Sequence, residues 1–155
     1  MTARLIGVIA DTHGLIRAEA LEALRGADLI VHAGDVGKAE VLAALESIAR
    51  VAAVRGNVDR TEPLASLPAT RVVTVAGLAL FVLHSLDDLD LDPAAAGFRA
   101  VISGHSHRAD IRREDGVLYL NPGSAGPRRF TLPLTLIRLS VADSRLDPEL
   151  ITLRL

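Results

Sequence analysis

The apolar positions of this chain fall into short, separated runs. Leu5 to Ala10 is continuous and partly β-branched, the pattern of a strand buried on both faces. Leu15, Ala18, Leu21 and Leu24 then recur at helical spacing and stop at Gly26. Leu29 to Val31 reads as a second buried strand closing at Gly34-Asp35, and Val41 to Ile48 as a second helix. Val51 to Val54 reads as a third strand, closing at Gly56-Asn57. Strand, helix, strand, helix, strand with short connections predicts parallel βαβ units.

After Thr61-Glu62-Pro63 the rhythm changes to strands. Arg71 to Val75 and Leu78 to Leu83, split by Ala76-Gly77, predict a hairpin. Asp92-Pro93 is placed to open a short helix through Ala96, with Pro at its first position. Ala100 to Ile102 is a short buried strand ending at Gly104. Ile111 to Arg113 and Val117 to Leu120 form a second hairpin around Asp115-Gly116. Pro133 to Val141 and Leu150 to Leu155 supply the last two strands. With 155 residues and no repeat or linker, the expectation is one domain over residues 1–155, α/β in its first half and strand-rich in its second, with two sheets.

Composition narrows the chemistry. There are 17 basic and 19 acidic residues, a net charge of −2, so no basic excess offers itself to a nucleic-acid backbone. One Tyr, three Phe and no Trp give little for stacking bases. Cys is absent, which removes disulfides, thiolate nucleophiles and thiolate metal sites, so any transition metal must bind through nitrogen and oxygen. No run reaches the roughly 18 apolar residues of a membrane span. The amino-terminal stretch lacks the length and cleavage site of a signal peptide, so a cytoplasmic location is expected.

Residues with ligand chemistry stand just beyond the carboxyl ends of these strands: Asp11 and His13, Asp35, Asn57, His84, then His105 and His107. In open α/β sheets the ligand crevice lies at that edge. Any one of them alone reads equally well as a turn residue or helix cap. Five strand ends carrying such groups together do not. Asp11-Thr12-His13 and His105-Ser106-His107, read as extended, would turn alternate side chains toward one ion. Four neutral imidazoles, one amide and two carboxylates suit divalent ions and an anionic phosphoryl group, with Mn favoured and Fe, Zn, Co or Ni open.

Asp11-Thr12-His13, Gly34-Asp35, Gly56-Asn57-Val58-Asp59, His84 and Gly104-His105-Ser106-His107 together resemble the calcineurin-like metallophosphoesterase superfamily. The short chain and Asn121-Pro122-Gly123-Ser124 resemble its small YfcE-type phosphodiesterases, relatives of the retromer subunit. The resemblance implies a four-layer αββα sandwich, two mixed β-sheets flanked by helices, with the metal site at the C-terminal strand ends. It implies two divalent metal ions. Asp11, His13 and His107 would hold the first, Asn57, His84 and His105 the second, with Asp35 bridging. A metal-bound hydroxide would attack phosphorus in line with the leaving oxygen. The expected substrate is a small phosphoester, with no nucleic-acid polymer or membrane involved, and pairing into a homodimer is expected from the family. A phosphomonoesterase on the same centre and a protein-interaction scaffold of the same fold stand as alternatives.

Two positions depart from the family pattern. Val58 stands where many relatives carry a His that protonates or binds the leaving group, so catalytic assistance falls to Asp59, beside Asp35 and Asn57, or to a water. Ser85 follows His84 where Gly is usual and is expected to narrow the pocket or contact substrate. Asn121 and Ser124 sit in a loop expected beside the site, and Arg128 and Arg129 follow it with guanidinium groups suited to phosphate, Arg128 being assigned to substrate. His32 is the histidine outside the ligand set. Asp87, Asp88, Asp90 and Asp92 lack calcium-loop spacing and read as a solvated loop.

Overall fold

The computed structural model describes residues 4–155 as two five-stranded sheets packed face to face. The first half builds β1 (Arg4–Ile9), α1 (Ala18–Ala23), β2 (Leu29–His32), α2 (Ala39–Glu46) and β3 (Arg50–Ala53). The strand-rich half adds β4 (Thr70–Val75), β5 (Leu78–Leu83), β6 (Phe98–Ile102), β7 (Asp110–Glu114), β8 (Val117–Asn121), β9 (Thr135–Ala142) and β10 (Arg145–Thr152). The first sheet runs β10-β9-β1-β2-β3 and the second β4-β5-β6-β8-β7. Both are mixed: β1, β2 and β3 are parallel, as are β5, β6 and β8, and the remaining neighbours are antiparallel.

Side-chain alternation explains the layering. Ile6 and Val8 of β1 and Val31 of β2 face the second sheet, meeting Leu80 and Val82 of β5, Ile102 of β6 and Leu120 of β8. Ile9 and Ile30 point the opposite way, onto Ala20, Leu24, Val41 and Leu45 of the two helices and their flanks. At Gly7 an added Cβ would run into the Leu24 side chain, so α1 lies directly on β1.

Two mixed sheets were expected and are present, but the outer layers are unequal. Both α-helices cover the first sheet. The outer face of the second, with Phe81, Leu83, Val101 and Val117, is covered by Leu86, Leu89 and Leu91 from an irregular segment holding one 3₁₀ turn, Leu86–Asp88. The short helix expected from Asp92 through Ala96 is a single turn, begun by the Asp92 carboxylate accepting from Ala95 N–H and ended at Gly97, whose φ is 84°. Four Asp residues and a Pro in this stretch disfavour a longer helix, while its leucines still seal the sheet. The last strand starts at Arg145, earlier than its apolar residues indicate, because Asp143-Ser144 makes a two-residue hairpin turn with both φ positive. Pro148 is tolerated there because β10 is an edge strand.

Leu24 joins α1 to β1 and is fully buried. Leu24→Ala is expected to cost about 2–5 kcal/mol of stability. Urea unfolding monitored by circular dichroism measures it, and a loss below the lower bound would show that the helix can settle onto Gly7.

Candidate metal centre

The parallel strands of both sheets deliver their carboxyl ends to one edge, and the backbone there is turned rather than extended. Asp11, His13, Asp35, His105 and His107 all have left-handed φ, between 46° and 74°. This corrects the alternation expected for Asp11-x-His13 and His105-x-His107. The residues converge because a left-handed residue recurs at every second position, and each such residue costs on the order of 1–2 kcal/mol. Backbone hydrogen bonds hold the turns in place: Asp11 N–H to Gly34 O at 3.0 Å, His13 N–H to Asp35 O at 2.9 Å and Gly104 N–H to His84 O at 2.9 Å. At Gly34, with φ 101°, a Cβ would fall 2.6 Å from His84 Nδ1, so only glycine lets the two sheets' loops meet here.

The donors form two overlapping groups, Asp11 with His13 and His107, and Asp11 with Asp35 and His84. Asp35 Oδ2 lies 3.2 Å from His84 Nε2 and 3.6 Å from His13 Nε2, between the two. Asp11 Oδ1 lies 3.8 Å from His107 Nε2 and 4.0 Å from His84 Nε2. Ligands about 2.1 Å from a common ion stand roughly 3.0–3.4 Å apart, close to these spacings. His105 is exposed and meets His84 edge-on, with ring centroids 5.2 Å apart. Asn57 is exposed on the β3 side, lining a hollow with His84. The structure therefore brings together Asp11, His13, Asp35, His84 and His107 most tightly, with Asn57 and His105 at their rim.

The donor chemistry fits a cation. The Ala33 carbonyl accepts from His84 Nδ1 at 2.8 Å, which leaves the Nε2 lone pair facing two carboxylates with no aligned donor. His13 Nε2 and His107 Nε2 face each other at 3.2 Å. Burial pushes Asp11 up to about 7, and the Asp35 charge adds to the shift against the pull of His84 and the His105 N–H. Asp35 goes the other way: burial would raise it, but the His84 imidazole 3.2 Å away and the N–H of Val58, from which it accepts, bring it down to about 2. His84 is raised, since Asp35 and the Ala33 carbonyl outweigh its burial. His107 is lowered to about 4 by burial, with the Arg129 charge next in effect.

Several residues expected at the substrate instead hold the ligands. Asp59 is buried, and its carboxylate accepts from Val36 N–H (3.1 Å), Gly37 N–H (2.9 Å) and Gly56 N–H (2.9 Å). The catalytic role expected for it gives way to positioning, because both oxygens are already committed to the loops bearing Asp35 and Asn57. Asn121 donates to Gly104 O (2.9 Å) and Ser106 Oγ (3.2 Å), holding the His105–His107 turn. Ser124 Oγ donates to the Asp11 carbonyl at 2.9 Å. Ser85 Oγ accepts from Asp87 N–H and caps the 3₁₀ turn. Arg128 does line a hollow with His13 and His107. His32 is fully buried: its Nδ1 accepts from Gly34 N–H (3.1 Å), so Nε2 donates to Thr12 Oγ1 (3.0 Å), which donates to Val36 O (2.9 Å). Burial lowers it to about 4 and keeps it neutral.

This two-sheet sandwich with its donor set defines an α/β protein with a nitrogen–oxygen metal centre at a sheet edge. The chain belongs to the calcineurin-like phosphoesterase superfamily, whose domain model matches residues 5–144. It is 33% identical to a probable metallophosphoesterase of Methanothermobacter thermautotrophicus, over 95% of this chain and 91% of that protein. In fold it is similar to a novel archaeal phosphodiesterase (TM-score 0.77, 23% identity, 96% and 99% of the two chains). It is also similar to the YfcE phosphoesterase of E. coli (TM-score 0.68, 21% identity, 97% and 100%). Vacuolar protein sorting 29 of Cryptosporidium parvum shares the fold too (TM-score 0.77, 17% identity, 98% of each chain). No helix among the described residues is long and apolar enough to cross a membrane.

Two outcomes follow. Asp59→Ala leaves three N–H groups without an acceptor and is expected to lower stability by about 3 kcal/mol and to loosen metal binding. Urea unfolding and metal titration read this, and parental stability with lost turnover would return Asp59 to catalysis. Because Asp11 must be ionised to bind a cation and its proton leaves near pH 7, metal affinity should rise with pH through that range. Calorimetry in buffers of different ionisation enthalpy should detect the released proton, and pH-independent affinity between 6 and 8 would contradict it.

Proposed function

We propose that this protein is a two-metal phosphodiesterase acting on small phosphodiesters. The carrying observation is the donor set itself: two overlapping groups share the sealed Asp11 carboxylate, and His84 Nε2 is buried without an aligned partner. When bound, two divalent ions, Mn foremost, supply Lewis acidity toward phosphoryl oxygens and a hydroxide nucleophile at neutral pH. Asp11, His13 and His107 would hold one ion. Asp35 and His84 would hold the other together with Asn57 and His105, and Asp35 Oδ2 faces both groups.

The chain's own residues bias the substrate. Val58 is 48% exposed at the rim, and Asp59 is committed elsewhere, so neither protonates a leaving oxygen. Absence of such an acid is worth about 10²–10⁴ in rate on poor leaving groups. Activated diesters are therefore the favoured substrates. The same reading places a small soluble phosphoester, rather than a nucleic-acid polymer or a membrane, at the site of a cytoplasmic homodimer.

The test is hydrolysis of an aryl phosphodiester against its aryl monoester, after chelation and again after restoring Mn²⁺. Metal-dependent turnover, faster on the diester, is expected. Faster turnover of the monoester would make the protein a phosphomonoesterase, and no metal-dependent turnover of either would favour the scaffold.

A further inference from the structure

Thr12 stands between two donors, Asp11 and His13, yet its hydroxyl is directed into the protein. The residue is fully buried, and Oγ1 donates to the Val36 carbonyl at 2.9 Å while it accepts from His32 Nε2 at 3.0 Å. The other ring nitrogen of His32 accepts from Gly34 N–H at 3.1 Å. This relay begins and ends on the residues either side of Asp35 and passes through the one between Asp11 and His13. His32 is the last residue of β2 and is paired on both sides, with Ile9 of β1 and Ala53 of β3. The relay is therefore anchored to the middle of the first sheet.

The main chains of the two segments are laced alongside it. Asp11 N–H donates to Gly34 O, His13 N–H to Asp35 O, and Gly14 N–H to Val36 O at 2.7 Å. At Gly37 an added Cβ would run into the Gly14 amide, so the segments touch main chain to main chain. One segment carries two donors of the first metal group. The other carries Asp35, whose Oδ2 faces both groups. A shift of either segment is passed to the other, and both groups feel it.

These segments also hold strain. Asp11, His13 and Asp35 have φ of 55°, 46° and 56°, a conformation that non-glycine residues keep only where their surroundings determine it. Thr12 is the residue between two of them, so its side chain opposes relaxation of both. Without the hydroxyl, His32 Nε2–H loses its buried acceptor, and the relay fails as a unit. Groups that hold ligand residues in this way commonly set metal affinity by about 10- to 100-fold.

We propose that Thr12, acting through His32, is a positioning residue for the whole metal centre, so that losing its hydroxyl weakens both ions together rather than only the one its neighbours would hold. This deepens the two-metal reading and rests on it. Calorimetric titration of the chelated protein with Mn²⁺ reads the two affinities without turnover. Thr12→Val, which keeps the volume, is expected to lower both by about 10- to 100-fold. Thr12→Ser, which keeps the hydroxyl, should stay near the parental values. Leu24→Ala lowers stability without touching either segment and should leave both affinities parental. His32→Phe should add little to the loss in Thr12→Val, because the two residues act as one unit. In turnover, excess Mn²⁺ should restore kcat of Thr12→Val on the aryl diester at unchanged KM, since every donor is still present. Parental affinities in Thr12→Val, a loss confined to one ion, or an equal loss in Leu24→Ala would overturn the proposal. A shared loss in a protein that hydrolyses no diester would uphold it and sink the activity instead. Diester hydrolysis with both affinities unmoved in Thr12→Val would do the reverse. A single binding step in the parental protein would sink the two-metal reading, and the proposal with it.

Discussion

Asp11 and Asp35 lie against one imidazole, His84, and Asp11 is sealed from water. Two carboxylates so placed cannot both remain ionised in a dry setting unless positive charge joins them. Hydrogen bonds relieve part of the burden. Asp35 takes the Val58 N–H at 3.0 Å and Asp11 takes the His105 N–H at 3.0 Å. The rest falls to a proton or a cation, and burial, which raises Asp11, sets the two in competition at that carboxylate.

Bringing Asp11, His13, Asp35, His84 and His107 from separate strand ends to one place requires turned backbone, and turned backbone must be held. His32, Asp59, Asn121 and Ser124 do the holding, each with buried polar atoms directed at main-chain groups of the ligand loops. Their carboxylate, amide, imidazole and hydroxyl groups are the same ones that catalysis uses, which is why they resemble catalytic residues when only the chain is read. The difference lies in what they face. Asp59 is buried and turns both carboxylate oxygens onto three main-chain N–H groups of the ligand loops rather than into an open pocket.

The sheets, and the convergence of Asp11, His13, Asp35, His84 and His107 at their edge, were legible from the chain because both depend on local pattern. Buried parallel strands are apolar throughout, and their ends are marked by Gly and by ligand residues in order. Less legible was anything decided by contact between segments far apart in sequence. That Asp59 serves Val36 and Gly37, or that Ser124 reaches the Asp11 carbonyl, follows from loop packing that periodicity does not encode. The left-handed turns were hidden for a related reason. Asp and His tolerate that conformation without requiring it, so Asp11 and His105 carry no mark as a glycine would. The outer layer of the second sheet was misjudged where Asp92-Pro93 gave a good helix start but Gly97 left room for only one turn.

The irregular covering over that second sheet begins immediately after His84 and contributes Asp88 and Asp90 to the hollow beside Asn57 and His84. Its grip on the sheet comes from three leucines, while its length and charge are free of the strand register. The fold thereby joins two kinds of surface at one edge: strand ends that fix the donor atoms, and a leucine-anchored segment whose length and charge the strand register does not set.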